Sequence, residues 1–82
     1  MEVVFYTRDQ CMLCKEAKQL LTLLKEEHDF QLLEININES DELTEAYGLM
    51  IPVIEVEKEI IQYGQIDYFS LNHYLQQKNK SS

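Results

Sequence analysis

The sequence predicts an α/β domain: a four-stranded mixed sheet with helices on both faces, in the order β-α-β-α-β-β-α. Three features carry that prediction. The apolar run Val3-Val4-Phe5-Tyr6 is followed by a helical stripe at Leu13, Ala17, Leu20, Leu21 and Leu24. A second apolar run at residues 31–37 comes straight after that helix, which makes the two strands parallel. Two further apolar runs flank Glu57-Lys58-Glu59 and read as a hairpin, with a last helix behind them.

Each element has a local reason. Residues 2–6 are rich in β-branched and aromatic side chains and form a buried strand. Thr7-Arg8-Asp9-Gln10 is polar and forms a loop. The helix is expected from Met12 to Glu27, fading at His28-Asp29, with Lys15, Glu16, Lys18, Gln19 and Lys25 mostly outward. Leu33, Ile35 and Ile37 alternate in the second strand, with Leu32 added. Asn38-Glu39-Ser40 is a turn, and either Asn38 or Ser40 is placed to cap the short helix Asp41–Tyr47. Its first turn is acidic, as the helix dipole favours, and Gly48 suits the C′ position beyond its end. Pro52 opens the strand within residues 49–56, where a missing N–H is tolerated. Ile60–Tyr63 is the partner strand, ended by Gly64. The last helix is expected over Ile66–Gln76, with Ile66 or Tyr68, then Leu71 and Leu75, facing the core. A single domain over residues 1–77 results, with residues 78–82 a polar tail expected to fray.

Composition narrows the function. The 82 residues hold 15 acidic and 7 basic side chains, a net charge of −8. Such a surface repels nucleic-acid phosphates and anionic membranes, so neither is an expected partner. The amino terminus lacks the features of a signal peptide, and no apolar stretch is long enough to span a membrane. The expectation is a cytoplasmic monomer. Arg8, Lys15 and Lys18 cluster around the two cysteines, which suggests a locally positive site on an acidic body.

Those cysteines, Cys11 and Cys14, are the only two in the chain. A Cys-x-x-Cys between a strand and a helix in a reducing compartment reads as a redox pair rather than a staple. Cys11 falls at or near the helix N-cap, where N–H groups of Leu13, Cys14 or Lys15 can face its sulfur. A helix N-terminus and nearby cations, for which Arg8 and Lys15 are candidates, favour the thiolate, the reactive species. Asp9 and Glu16 oppose them. Cys14 lies one turn further in, shielded, and is the natural resolving thiol. The bland alternative, two packed free cysteines, has little weight for a pair at this spacing. Zinc is disfavoured as well. His28 lies at a tolerable distance from Cys14, but His73 is too remote for a local finger. Both histidines fit helix-end or surface roles.

The strand-loop-helix ending in Cys11-Met12-Leu13-Cys14, the tripeptide Ile51-Pro52-Val53 and the segment Gly64-Gln65-Ile66-Asp67 come in this order over nearly the whole chain. In this the sequence resembles glutaredoxin-like proteins of the thioredoxin superfamily. The resemblance implies a thioredoxin-like (glutaredoxin-type) fold and a dithiol–disulfide oxidoreductase acting on disulfide-containing proteins or low-molecular-weight thiols. Cys11 and Cys14 would be catalytic, and Met12 and Leu13 would offer an apolar surface beside the sulfur. Pro52 would be cis, and Ile51 would present its backbone N–H and C=O to an extended substrate. Gly64, Gln65 and Asp67 match the place where glutaredoxins hold glutathione. Gln65 stands there in place of a glycine and Ile66 in place of a small polar residue, and Asp67 reads equally well as a helix N-terminal acid. Glutathione is therefore an optional co-substrate, no cofactor is expected to be bound, and glutathione or thioredoxin reductase is the expected electron source. The alternative reading is a non-catalytic adaptor that senses redox state or delivers a thiol or a thiol-bound metal.

Overall fold

The computed structural model describes residues 1–80. Its elements are β1 (Glu2–Thr7), α1 (Met12–Glu27), β2 (Gln31–Asn36), a 3-10 turn (Ile37–Glu39), α2 (Asp41–Tyr47), β3 (Val53–Val56), β4 (Glu59–Tyr63) and α3 (Tyr68–Lys80). The strands form one sheet in the order β2-β1-β3-β4. β1 is central, pairing parallel with β2 and antiparallel with β3, and β4 closes the antiparallel side. The predicted architecture is therefore present, with the parallel pair where the connecting helix requires it.

The side chains of β1 alternate between two cores. Val3 and Phe5 are fully buried with Cys14, Ala17, Leu21 and Leu24 of α1 and with Leu71 and Leu75 of α3. Tyr6 faces the other way, into a smaller cluster with Ile37 and Val53, against which Leu43 and Tyr47 of α2 pack. Helices accordingly cover both faces.

Local chemistry explains most boundaries. Ser40 Oγ accepts from the Leu43 N–H at 3.3 Å and starts α2. Asn36 Oδ1 accepts from the Asn38 N–H at 2.9 Å and turns the end of β2 into the 3-10 turn. Glu57 and Lys58 both adopt left-handed backbone, at φ 53° and 67°, the primed geometry that matches a two-residue hairpin to strand twist. His28 ends α1, and its Nε2 pairs with Asn72 Oδ1 of α3 at 2.6 Å, joining the two helices of the larger core.

Four expectations need correction. Leu13 is not part of the core stripe: it is exposed, and Cys14 occupies the inward position of the first turn. Leu33 is exposed on the edge strand β2, where Leu32 and Ile35 are the side chains that pack. Gly48 is right-handed, at φ −57°, so it is not a left-handed terminator. Its small size matters instead, since a Cβ there would stand 2.5 Å from the Thr44 carbonyl oxygen. Finally, α3 starts at Tyr68 and continues through Lys80, past the expected end at Gln76. Gln and Lys are good helix formers, and polarity alone does not end a helix. The rest of the tail, residues 81–82, lies outside the described residues.

Candidate active site

The site forms where β1 hands over to α1. Gln10 is left-handed, at φ 56°, and turns the chain so that Cys11 becomes the N-cap of α1 in extended geometry. The Cys14 N–H donates to Cys11 Sγ at 3.2 Å, and the Lys15 N–H donates to the Cys11 carbonyl at 3.1 Å. The sulfur thus takes the place of an N-cap oxygen at the positive end of the helix. Cys11 and Cys14 are joined as a disulfide, with Cα atoms 5.2 Å apart. Cys14 is 3% exposed and packs in the larger core, whereas Cys11 is half-buried. The two sulfurs therefore differ in access, the outer one facing solvent and the inner one shielded.

A cleft of about 490 Å³ opens beside the disulfide, on the β2 side of β1. Arg8, Lys15 and Lys18 line it, as the sequence suggested, but so do Asp9, Glu34 and Glu39. Lys18 pairs with Glu34 at 3.2 Å, an exposed contact worth roughly 0–1 kcal/mol. The cleft is balanced in charge rather than positive.

Val53 lies opposite both Tyr6 and Tyr63. The end of β1, the start of β3 and the end of β4 therefore share one end of the sheet. Met12, Leu13, Leu49 and Tyr63 adjoin that end in the chain and form an exposed apolar rim, Met12 at 70% and Leu49 fully. The disulfide sits on the border between this apolar rim and the charged cleft. Met12 and Leu13 follow Cys11 directly; the exposure of Leu49 had no sequence signal, because an isolated apolar residue is not marked as exposed.

The Ile51–Pro52 bond is cis, and Pro52 is buried directly ahead of β3. Ile51, however, does not offer its N–H: the N–H groups of Met50 and Ile51 both donate to the Tyr47 carbonyl, at 2.8 and 3.1 Å. Only the carbonyl of Ile51 remains for an incoming chain. The Gly64 N–H is shared between the carbonyls of Met50 and Pro52, each at 2.9 Å, so the end of β4 is fastened to the proline segment. Gly64 is left-handed, at φ 76°, with open space where a Cβ would stand, so conformation and not room calls for glycine.

Asp67 acts as the cap of α3. Its Oδ2 accepts from the Ser70 N–H at 3.0 Å, while Gln62 clamps its backbone, accepting from its N–H at 2.8 Å and donating to its carbonyl at 3.3 Å. Gln65 is exposed between Gly64 and this cap. Hydrogen bonding from Ser70 holds the Asp67 carboxyl below its ordinary pKa of 3.8. A lowered folded-state pKa means stability that is present above that ordinary value and lost as pH falls through the folded one. Thermal unfolding of Asp67→Ala should therefore show a lower Tm at pH 6 and a difference from the parent chain that shrinks below pH 3, measured by circular dichroism at about one-unit pH steps.

A cluster that the sequence did not reveal lies beneath the proline segment. Tyr6 and Tyr47 stack with ring centroids 4.3 Å apart, and each hydroxyl donates to one oxygen of Glu55, at 3.5 Å. The Tyr6 phenol is pushed up to about 12, first by burial, then by its hydrogen bond with Tyr47 and the Glu55 charge. Its raised pKa makes a contribution that is complete below the ordinary value of 10.0 and is lost as pH rises through about 12. Tyrosinate absorbance during alkaline titration should lose its highest step in Tyr6→Phe.

Among the described residues, no group of three or more His, Cys, Asp or Glu side chains is arranged to hold a metal ion. Nor is any described helix long and apolar enough to cross a membrane.

This fold, with a cysteine pair at the start of its first helix, defines a thioredoxin-like protein. The chain belongs to the Glutaredoxin-like domain (DUF836) family, which matches residues 2–76. It is similar to the solved structure of protein Ne2328 from Nitrosomonas europaea, at 30% identity and a TM-score of 0.76, over 90% of this chain and 89% of that one. It is also similar to protein XcR50 from X. campestris, at 25% identity and a TM-score of 0.76, over 92% and 96%. Reduced Escherichia coli glutaredoxin shares the fold, at 24% identity and a TM-score of 0.63, over 98% and 99%. No curated protein sequence matches the chain. Family, fold and the Cys11–Cys14 pair together support a redox function.

Proposed function

We propose that the protein is a dithiol–disulfide oxidoreductase whose substrates are protein disulfides. The observation that carries the reading is Cys11 at the helix N-cap with the Cys14 N–H on its sulfur and Cys14 buried behind it. In the reduced form, that N–H and the helix dipole stabilise negative charge on Cys11. The Cys11 thiolate attacks a substrate disulfide; one S–S bond forms, one breaks, and the departing sulfur takes up a proton. Cys14, deprotonated, then attacks Cys11 Sγ, forms the Cys11–Cys14 disulfide and releases the second substrate sulfur, which is protonated in turn. Two electrons pass to the substrate, and an external thiol or reductase returns them. The apolar rim favours a protein segment over a small charged thiol, since burying such side chains drives protein association. Asp67 spends one carboxylate oxygen on its own helix, which counts against the glutathione-holding role and leaves glutathione as an electron donor rather than a preferred ligand. A reducing cytoplasm suits this cycle.

A coupled assay tests the reading. Reduction of a protein disulfide is measured once with glutathione and glutathione reductase and once with thioredoxin reductase. Turnover in either system that depends on Cys11 supports the proposal. Silence in both, with the Cys11–Cys14 disulfide still reducible by dithiothreitol, would favour the adaptor.

A further inference from the structure

The helix α2 buries no residue completely, and a helix this short does not support itself. Its attachment to the sheet rests on Leu43 and Tyr47, packed against Tyr6, Ile37 and Val53. The Tyr47 ring stacks on Tyr6 at an interplanar angle of 20°. The two bonds to Glu55 are long at 3.5 Å, so the stack holds the ring and Glu55 orients it. Tyr6 belongs to β1, the strand that leads into Cys11. The carbonyl of Tyr47 receives the N–H groups of Met50 and Ile51, the segment that leads into Pro52. One residue thus joins the strand that delivers the cysteines to the segment that carries the proline.

We propose that Tyr47 is a positioning residue for substrate docking: through its ring on Tyr6 and its carbonyl on Ile51, it fixes the Met50–Pro52 segment relative to Cys11. The docking role rests on the oxidoreductase reading above. The chemistry at Cys11 and Cys14 is built on α1 and β1, and does not pass through α2. Loosening Tyr47 therefore alters how a disulfide-bearing chain is received, not how the sulfur reacts.

The test compares Tyr47→Phe, which keeps the ring, with Tyr47→Leu, which keeps apolar bulk without the stack. Three quantities are measured on the full chain: kcat and KM for a disulfide-bonded peptide, the rate at which iodoacetamide alkylates reduced Cys11, and amide exchange of Ile51 by NMR. Tyr47→Leu is expected to raise KM about tenfold and to speed Ile51 exchange, with kcat and alkylation within about twofold of the parent. Tyr47→Phe is expected to restore all three. An unchanged KM in Tyr47→Leu would overturn the proposal, as would a joint loss of kcat, KM and alkylation, which marks a general loss of structure. A parent chain without turnover would overturn the oxidoreductase reading and the docking role with it. Ile51 exchange would still decide the tie itself, and unchanged exchange in Tyr47→Leu would refute it.

Discussion

Cys11→Ser is expected to abolish disulfide reduction, lowering kcat/KM by on the order of 10³-fold or more, because the hydroxyl left behind is no nucleophile at neutral pH. Cys14→Ser should behave differently. Its Cys11 thiolate still attacks, but no resolving sulfur follows, so the chain stalls as a mixed disulfide with its substrate. Intact mass spectrometry reads this directly, as an adduct of chain plus substrate in Cys14→Ser and none in Cys11→Ser. The two expected roles follow from access, with Cys14 only 3% exposed and Cys11 half-buried. Limited iodoacetamide treatment of the reduced protein should therefore label Cys11 first. Preferential labelling of Cys14, or turnover surviving in Cys11→Ser, would reverse the assignment.

Phe5→Ala carries the largest expected effect on stability. Phe5 is fully buried at the centre of the larger core, on the same face of β1 as Val3 and in the cluster that holds Cys14. Removing a buried phenylalanine ring costs about 3–5 kcal/mol, through lost transfer energy and the cavity left behind. At roughly 0.05–0.15 kcal/mol per residue, a chain this short has only about 4–12 kcal/mol in total. The substitution consumes a quarter or more of that, and Tm should fall by about 12 °C or more. Leu33→Ala, on the exposed edge strand, is the control and should change stability by no more than about 0.5 kcal/mol. Urea unfolding followed by circular dichroism compares the two. Equal midpoints would mean that the core has been misplaced.

The parts of the molecule that repeat with a period were legible in the sequence. The stripe Ala17, Leu21 and Leu24 gave α1 its ends, and the run Val3–Tyr6 gave the central strand, because burial of one face leaves a mark every third, fourth or second residue. Leu13 escaped this logic at the first turn, where helical spacing placed it inward but Cys14 took the core position. The cysteine pair was legible because its chemistry needs a fixed spacing. Contacts between distant, aperiodic positions were not. Tyr6, Tyr47 and Glu55 come together across 49 and 8 residues of separation, and no local pattern announces that. The closure of the Ile51 N–H onto Tyr47 was hidden for the same reason, since it depends on how the chain leaves α2. The charge balance of the cleft came from Glu34 and Glu39, which the fold brings to cysteines twenty or more residues earlier in the chain.

The central place of β1 has a consequence for how the protein is made. β1 is synthesised before both of its pairing partners, Gln31–Asn36 and Val53–Val56. The core beneath Cys14 is completed only by Leu71 and Leu75 of the last helix. Contacts that close such long loops form late. A nascent chain therefore carries Cys11 and Cys14 before the contacts that bury Cys14 can all form. The difference in exposure between the outer and the inner sulfur is complete only once Leu71 and Leu75 have joined that core.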